Sequence, residues 1–249
     1  KTNENSISVG TTFQQYENFY FSPSLLTSFE SLETTSKAID NLKKQKGDYF
    51  DTYFNYGIDY DLRNQRYQAT DGTRTYFAQQ LPIVSENNEI VNTFEVSKYQ
   101  LLPSDMVGKI SFYSKAVNSL TDDDVRISKR LYIPYKKLRG FEKGKVGPKD
   151  NNSYIGGNYV SAFNMSTTLP QIMPSLQNTD FSFFIDMANV WGIDYSDTLE
   201  DKSTLRSSAG LSIDLLTVIG PLNFSFSETL SKASSDKTES FRFNIGTSF

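Results

Sequence analysis

The feature that most constrains the fold is a strict alternation of apolar and polar residues over 241–249, FRFNIGTSF. The odd-numbered residues form a largely apolar face: Phe241, Phe243, Ile245, Thr247 and Phe249. The even-numbered residues form a polar face: Arg242, Asn244, Gly246 and Ser248. Side chains of a β-strand point alternately to its two faces, so this pattern predicts a strand with one apolar and one polar surface.

Similar alternation recurs along the chain and predicts an all-β, antiparallel fold of about eleven strands. The predicted strands lie at roughly 5–14, 19–33, 49–61, 73–83, 90–101, 107–118, 157–169, 180–191, 204–216, 221–230 and 239–249. One connection differs, because residues 36–46, SKAIDNLKKQK, combine a serine cap with helix formers and are followed by Gly47. That segment predicts a short surface helix.

Composition and connection lengths favour a transmembrane β-barrel over a soluble β-sandwich. The chain is only 37% hydrophobic but has 19 Phe and 15 Tyr, which suits a wall one residue thick with aromatic girdles. Compact links at 62–72, 102–106, 170–179 and 217–220 alternate with links that include long, charged ones, at 34–48, 84–89, 119–156, 192–203 and 231–238. Outer-membrane barrels have short turns on one rim and long loops on the other. A sandwich, the alternative, would bury its apolar faces in pairs.

Several function classes are excluded by residues that the chain lacks. It has no Cys and no His, so thiolate or imidazole metal sites and Ser-His-Asp triads are ruled out, and we expect no enzyme activity. The net charge of −4 argues against nucleic-acid binding. Residues 140–147, GFEKGKVG, lack the ending of a phosphate-binding loop, so no cofactor is expected. Asp122–Asp124 predict a solvated acidic loop rather than a calcium contact, and no metal site is expected.

An odd number of strands raises the question of how the sheet closes. Bacterial single-chain barrels have even strand numbers, and an open edge in lipid leaves backbone groups unsatisfied. Either the count is wrong or strands that precede this chain are missing. The chain begins at Lys1 rather than Met, so we expect residues 1–249 to be the C-terminal portion of a longer outer-membrane barrel domain.

Residues 135–148, YKKLRGFEKGKVGP, interrupt the alternation and have neither strand nor helix periodicity. We interpret this segment, the lumen loop, as a long loop folded back into the barrel with Arg139 as its anchor. Gly140 would permit a backbone turn closed to other residues, and Phe141 would pack inside the lumen. A generic glycine turn in a solvated loop is the simpler interpretation of the same residues.

Several segments in order resemble the barrel domain of the BamA family of outer-membrane protein assembly factors, within the surface-antigen superfamily. The lumen loop contributes the LRGF run, Leu138, Arg139, Gly140 and Phe141, and VGP at 146–148. The other matching segments are FNYGIDYDLRNQRYQATDGTR at 54–74, GGN at 156–158, FFIDMANVW at 183–191, RSSAGLSIDLL at 206–216, IGPLNFSFS at 219–227 and the terminal FRFNIGTSF.

The resemblance implies that the chain is about eleven C-terminal strands of a sixteen-stranded barrel in the outer membrane of a Gram-negative bacterium. It implies a protein that inserts and folds other β-barrel proteins through a lateral seam between the first and last strands. The implied partners are unfolded outer-membrane β-barrel proteins, outer-membrane lipids, and assembly-complex lipoproteins bound through periplasmic repeats absent from this chain. The alternatives are a translocator of the same superfamily that secretes a partner protein, and a passive porin-like channel.

The resemblance also assigns roles to individual residues. Arg139 corresponds to a loop arginine that pairs with acids on the inner wall, and Asp186 corresponds to one such acid. The family usually supplies a second acid from the preceding strand, and this chain has Ser166 at the corresponding position. The loop would therefore be held less tightly, or by another acid such as Glu142. The last strand would form one side of the seam, with the residues Phe241, Phe243, Ile245, Gly246 and Phe249. Gly246 would be either a hinge of that strand or a small residue tolerated on the lumen face.

Overall fold

The computed structural model describes residues 2–34, 40–66, 68–170, 179–195, 199, 204–217 and 220–245. The lumen loop, residues 135–148, and its predicted partner Asp186 lie within these ranges, whereas Gly246 and Phe249 lie outside them. Fourteen strands are described: β1 Thr2–Gly10, β2 Phe13–Tyr16, β3 Phe19–Leu32, β4 Gly47–Asp61, β5 Gly72–Val84, β6 Glu89–Leu101, β7 Val107–Ser119, β8 Lys149–Asp150, β9 Ser153–Tyr154, β10 Tyr159–Thr168, β11 Thr179–Trp191, β12 Arg206–Thr217, β13 Gly220–Ser231 and β14 Phe241–Ile245.

Twelve of the strands form one antiparallel sheet in which neighbours in sequence are neighbours in space. Its order is β1, β3, β4, β5, β6, β7, β10, β11, β12, β13, β14, and β2 also pairs with β3. β1 and β2 pair with β3 as one interrupted strand. Gly10 of β1 pairs with Ser24, and Phe13 of β2 pairs with Phe21, which lies nearer the start of β3. The prediction of an antiparallel all-β fold with about eleven strands is therefore confirmed.

The two faces of the sheet differ as the alternation predicts. On one face, which we call the outer face, large apolar side chains are open to the surroundings: Phe183 is 51% exposed, Phe241 49% and Ile245 65%. On the other, the inner face, Asp186 and Ser208 are fully buried. A sandwich would bury the apolar faces against a second sheet, so exposed outer aromatics contradict the sandwich alternative and fit a wall that faces lipid.

The hydrophobic core lies between the inner face and the long connection from β7 to β10, residues 120–158. Apolar residues of this β7–β10 connection pack against inner-face residues of β7, β10 and β11: Val125, Leu131, Ile133, Leu138, Phe141 and Val146 meet Val117, Val160, Ala162, Ala188 and Val190. The hairpin of β8 and β9 lies within this connection and was not predicted. The connection is thus a packed element that covers part of the sheet.

The predicted surface helix is partly described. Helix α1 spans Asp40–Lys44, and the predicted start at 36–39 lies outside the described residues. The predicted compact links at 170–179 and 217–220 also lie largely outside them. Among the residues that the structure describes, no helix is long and apolar enough to cross a membrane.

Candidate functional site

The lumen loop is fixed to the sheet by a bidentate ion pair between Arg139 and Asp186. Arg139 Nε donates to Asp186 Oδ2 at 2.7 Å, and Nη2 donates to Oδ1 at 2.8 Å. The backbone N–H of Arg139 also donates to Asp186 Oδ2, at 3.1 Å. The fork geometry of a guanidinium matches a carboxylate, and charge-assisted hydrogen bonds are roughly twice as strong as neutral ones. Asp186 is positioned for this contact because it lies on the inner face of β11, with a fully buried side chain.

Three further inner-face residues complete the surroundings of this pair. Asn164, directly opposite Asp186 on β10, donates its amide to Asp186 Oδ1 at 2.8 Å. The Arg139 guanidinium carbon lies 3.4 Å from the ring centroid of Phe184, a cation–π contact on a buried ring. Ser208 of β12 donates its hydroxyl to the Arg139 carbonyl at 2.5 Å. The Arg139 side chain and backbone are therefore both bound by the adjacent strands β11 and β12, and Asn164 of β10 supports Asp186.

The strand register identifies the group that supports Asp186 from the preceding strand. That group is Asn164, whereas Ser166 lies opposite Phe184. Asn164 also donates to the Lys137 carbonyl at 2.8 Å, so one amide joins the carboxylate and the loop backbone. Glu142, the other acid considered from the sequence, uses its backbone N–H to bind the Lys237 carbonyl at 3.0 Å.

The other residues of the LRGF run are in tight contact with their neighbours. Leu138 and Phe141 are each 2% exposed and belong to the core. Gly140 has a φ of +86°, and a Cβ built there would lie 3.2 Å from the Cβ atoms of both Ser208 and Ser227. A left-handed backbone and this close approach both favour glycine.

A second buried cluster holds the start of the β7–β10 connection, and sequence reasoning missed it. Arg126 is fully buried, and its Nη2 donates to Asp51 of β4 at 2.6 Å. Its Nη1 lies 3.5 Å from Glu30 of β3, and its Nη2 lies 3.6 Å from Glu89 of β6. The Arg126 backbone N–H also donates to Glu89 at 2.7 Å. These acids are far apart in sequence, so only the sheet register brings them to one place.

A third group ties the connection to the loop after β11. Arg130 pairs with Asp194, which also accepts hydrogen bonds from the Val125 backbone N–H at 2.9 Å and from Asn158 at 2.8 Å. Burial of Asp194 works against ionisation, but the hydrogen bonds from Asn158 and Val125 and the charge of Arg130 outweigh it. The pKa of Asp194 is therefore held below its ordinary value.

The last described strand has aromatic rings on its outer face that pack against rings of β13. Phe243 lies 4.8 Å from Phe224 and Phe241 lies 5.0 Å from Phe226, measured between ring centroids across β13 and β14. Ile245 pairs with Leu222 at the end of the described ladder. Within the described residues, β14 pairs with β13 alone. The predicted roles of Gly246 and Phe249 concern residues outside the described ranges.

The arrangement of acidic residues in the described ranges bears on metal binding. In the described part of the chain, no group of three or more His, Cys, Asp or Glu side chains could hold a metal ion. The buried acids that do gather, at Arg126, surround a guanidinium instead.

A single antiparallel sheet with an apolar outer face and a loop fixed on its inner face defines an outer-membrane β-barrel with an occupied lumen. The chain belongs to the Omp85 superfamily, whose superfamily domain model matches residues 1–249. It is similar to the outer membrane protein assembly factor BamA of Neisseria meningitidis serogroup B, with 32% identity over 141 residues that cover 45% of this chain and 17% of that protein. It is also similar in structure to BamA from Haemophilus ducreyi lacking POTRA domains 1–3.

That structural match has a TM-score of 0.85 and 22% sequence identity, and it covers 97% of this chain and 53% of that chain. It confirms the transmembrane barrel fold predicted from the sequence and shows that the described sheet corresponds to part of the barrel wall. The chain spans about half the length of that solved relative and a smaller share of the Neisseria protein. The inner face can accordingly be called the lumen face, and the predicted location in the outer membrane is confirmed by the family.

Proposed function

We propose that the protein containing this chain assembles β-barrel proteins into the outer membrane. The observation that carries the proposal is the fixed lumen loop: the Arg139–Asp186 pair and the surrounding core hold residues of the β7–β10 connection against the lumen face. Similarity to two assembly factors supports the same function. The proposed partners are unfolded outer-membrane proteins and other components of an assembly complex.

The proposed mechanism uses the edge of β14 that no described strand covers, at a lateral seam between the first and last strands of the full barrel. An unpaired strand edge presents backbone donors and acceptors that can pair with an incoming strand. Addition of a client strand there would satisfy the client's backbone groups within the membrane, where unpaired groups are costly. No nucleotide is required, because each new hydrogen-bonded pair stabilises the product. The lumen loop would support the wall from inside while this edge is open.

The fixed loop also separates this proposal from a passive channel. A channel needs an open lumen, whereas here apolar residues of the connection pack on β7, β10 and β11 as a core. A secretion translocator remains an outcome of the test, because it would export a partner protein without folding barrels.

The test replaces Arg139 with Ala in the full-length protein and measures assembly of client barrels in cells depleted of the native protein. Removing one partner of a buried ion pair costs roughly 3–5 kcal/mol, because the Asp186 carboxylate is left buried without its cation. We expect a large fall in the amount of folded client porins, detected by their resistance to protease and to denaturation by detergent. Asp186→Asn should give the same defect.

Arg66→Ala is the matched control, because Arg66 is an exposed arginine whose guanidinium carbon lies 5.1 Å from the Tyr20 ring, away from the loop. It should assemble clients as the native protein does. Normal client assembly by correctly inserted Arg139→Ala protein would contradict the proposal. Loss of secretion of one partner protein, with client barrels unaffected, would instead establish the translocator.

A further inference from the structure

The lumen loop contacts the segment that leads into β14 through a short backbone ladder. Three backbone hydrogen bonds join the two segments: the Glu239 N–H to the Gly140 carbonyl at 3.1 Å, the Glu142 N–H to the Lys237 carbonyl at 3.0 Å, and the Lys237 N–H to the Lys145 carbonyl at 3.0 Å. The first two make an antiparallel bridge in which Phe141 pairs with Thr238. The loop is therefore bound to the wall strands through Asp186 and also to the approach of the last strand.

Arg242 extends this contact into β14 itself. Its Nη1 donates to the Tyr135 carbonyl at 2.5 Å, its Nη2 donates to the Phe141 carbonyl, and its Nε donates to the Glu239 carboxylate. The guanidinium carbon also lies 5.5 Å from the centroid of the Tyr135 ring. The Arg242 side chain is 10% exposed, so these carbonyls take the place of water around the charge.

The position of Arg242 in the strand makes the contact specific to β14. Arg242 lies between Phe241 and Phe243, whose rings pack on β13 at the outer face. Movement of β14 away from β13 would carry the guanidinium away from both loop carbonyls. Conversely, release of the loop would leave a mostly buried guanidinium without two of its acceptors, which is costly.

We propose that Arg242 is a positioning residue that couples docking of the lumen loop to pairing of β14 with β13. The inference rests on the proposed function, since β14 is the edge proposed to receive a client strand. A loop held by Asp186 would keep β14 in place between rounds of assembly, and displacement of β14 would loosen the loop. Coupling of this kind is reciprocal by thermodynamic necessity.

The test is hydrogen exchange of the full-length protein in lipid nanodiscs, with no client present. In Arg242→Ala, we expect exchange to become roughly tenfold faster or more in peptides covering β14 and in those covering the LRGF run, as a lost charged hydrogen bond predicts. Arg242→Lys keeps the charge but cannot reproduce the planar fork, so an intermediate effect in both segments is expected. This milder variant also provides the test if Arg242→Ala fails to insert.

Asn244→Ala is the matched control, since Asn244 lies two residues further on the same face of β14 and donates to Asn223 at 3.3 Å. It should change exchange in the last hairpin and leave the loop unchanged. Arg139→Ala should accelerate exchange in β14, and the double variant with Arg242→Ala should add little to either single variant.

The coupling would be overturned if hydrogen exchange in the lumen loop is unchanged in Arg242→Ala, or if exchange in β14 is unchanged in Arg139→Ala. Client assembly is measured separately, so the two proposals can fail independently. If exchange in the loop and in β14 changes together but Arg139→Ala still assembles clients normally, the assembly function alone is rejected. If exchange in one segment does not respond to a change in the other but Arg139→Ala fails to assemble clients, the role of Arg242 alone is rejected.

Discussion

Arginines hold the β7–β10 connection to the wall at separate points, and each uses its charge differently. Arg139 forms a bidentate pair with one aspartate, whereas Arg126 is surrounded by three acids. A third, Arg206 of β12, binds Asp236 through Nε at 2.9 Å, and Asp236 accepts the Gly147 N–H of the loop at 3.1 Å. Guanidinium groups suit these buried sites, because they stay charged and offer several donors in a fixed plane.

Asp194, the acid that pairs with Arg130, predicts a pH dependence of the contact between the β7–β10 connection and the loop after β11. Its pKa is lowered in the folded protein, so its contribution to stability is complete above the ordinary aspartate pKa of about 4. The contribution is lost as the pH falls through the lower folded-state pKa, because protonation ends the ion pair with Arg130. We expect exchange of the Val125 N–H, which donates to Asp194, to become faster in that acidic range after correction for intrinsic exchange.

Asp194→Asn is the control for this prediction, because it removes the titrating group and keeps a polar side chain of the same size. The variant should show a weaker contact at neutral pH and no further local change on acidification. An acid-induced change of equal size in Asp194→Asn would mean that another group is responsible.

At the scale of elements, the strands could be predicted from the sequence, whereas most contacts of the long connection, such as those of Arg126, could not. The alternation gave strand bounds close to those observed, for example 19–33 against Phe19–Leu32 of β3, because one-sided burial imposes a period of two. Asp186 could be placed on the inner face by the same parity. The partners of Arg126 come from β3, β4 and β6, and no local pattern encodes which residues of separate strands meet.

The fit of the lumen loop against β11 gives a prediction with an internal control. Gly147 has a φ of +102°, and a Cβ built there would lie 2.3 Å from Val190 Cγ1. Gly144 has a φ of +67°, and a Cβ built there has no neighbouring heavy atom within 4 Å. Ala at 144 therefore meets backbone strain alone. We expect Gly147→Ala to lower the free energy of unfolding by about 1–3 kcal/mol more than Gly144→Ala, as overpacking costs in a dense core.

The measurement is a urea titration of each variant in lipid vesicles, followed by the mobility of the folded form on gels. Val190→Ala added to Gly147→Ala should recover part of the loss, because it removes the clashing methyl groups. Equal losses for the two glycine variants would show that backbone strain, and not contact with Val190, sets the cost.

For the whole molecule, the decisive question is what the occupied lumen does for function. Apolar packing, buried ion pairs and a backbone ladder to the segment before β14 hold the same connection. A loop that only blocked a pore would need fewer contacts with the last strand. The distribution of contacts supports the proposal that the loop holds the wall during assembly, and the Neisseria relative is named an outer membrane protein assembly factor.

Replacement of residues 135–148 by a flexible Gly-Ser linker of equal length separates the two functions. The linker cannot form the core or the ion pair, so single-channel conductance of the full-length protein in planar bilayers should rise from near closed to that of an open pore. An assembly factor should at the same time lose client folding, because β14 and the wall lose their internal support. A passive channel would show the same rise in conductance with client assembly unchanged. Replacement of the exposed turn Pro103–Asp105, between β6 and β7, by Gly and Ser should leave both measurements unaffected, which would assign the effect to the lumen loop itself.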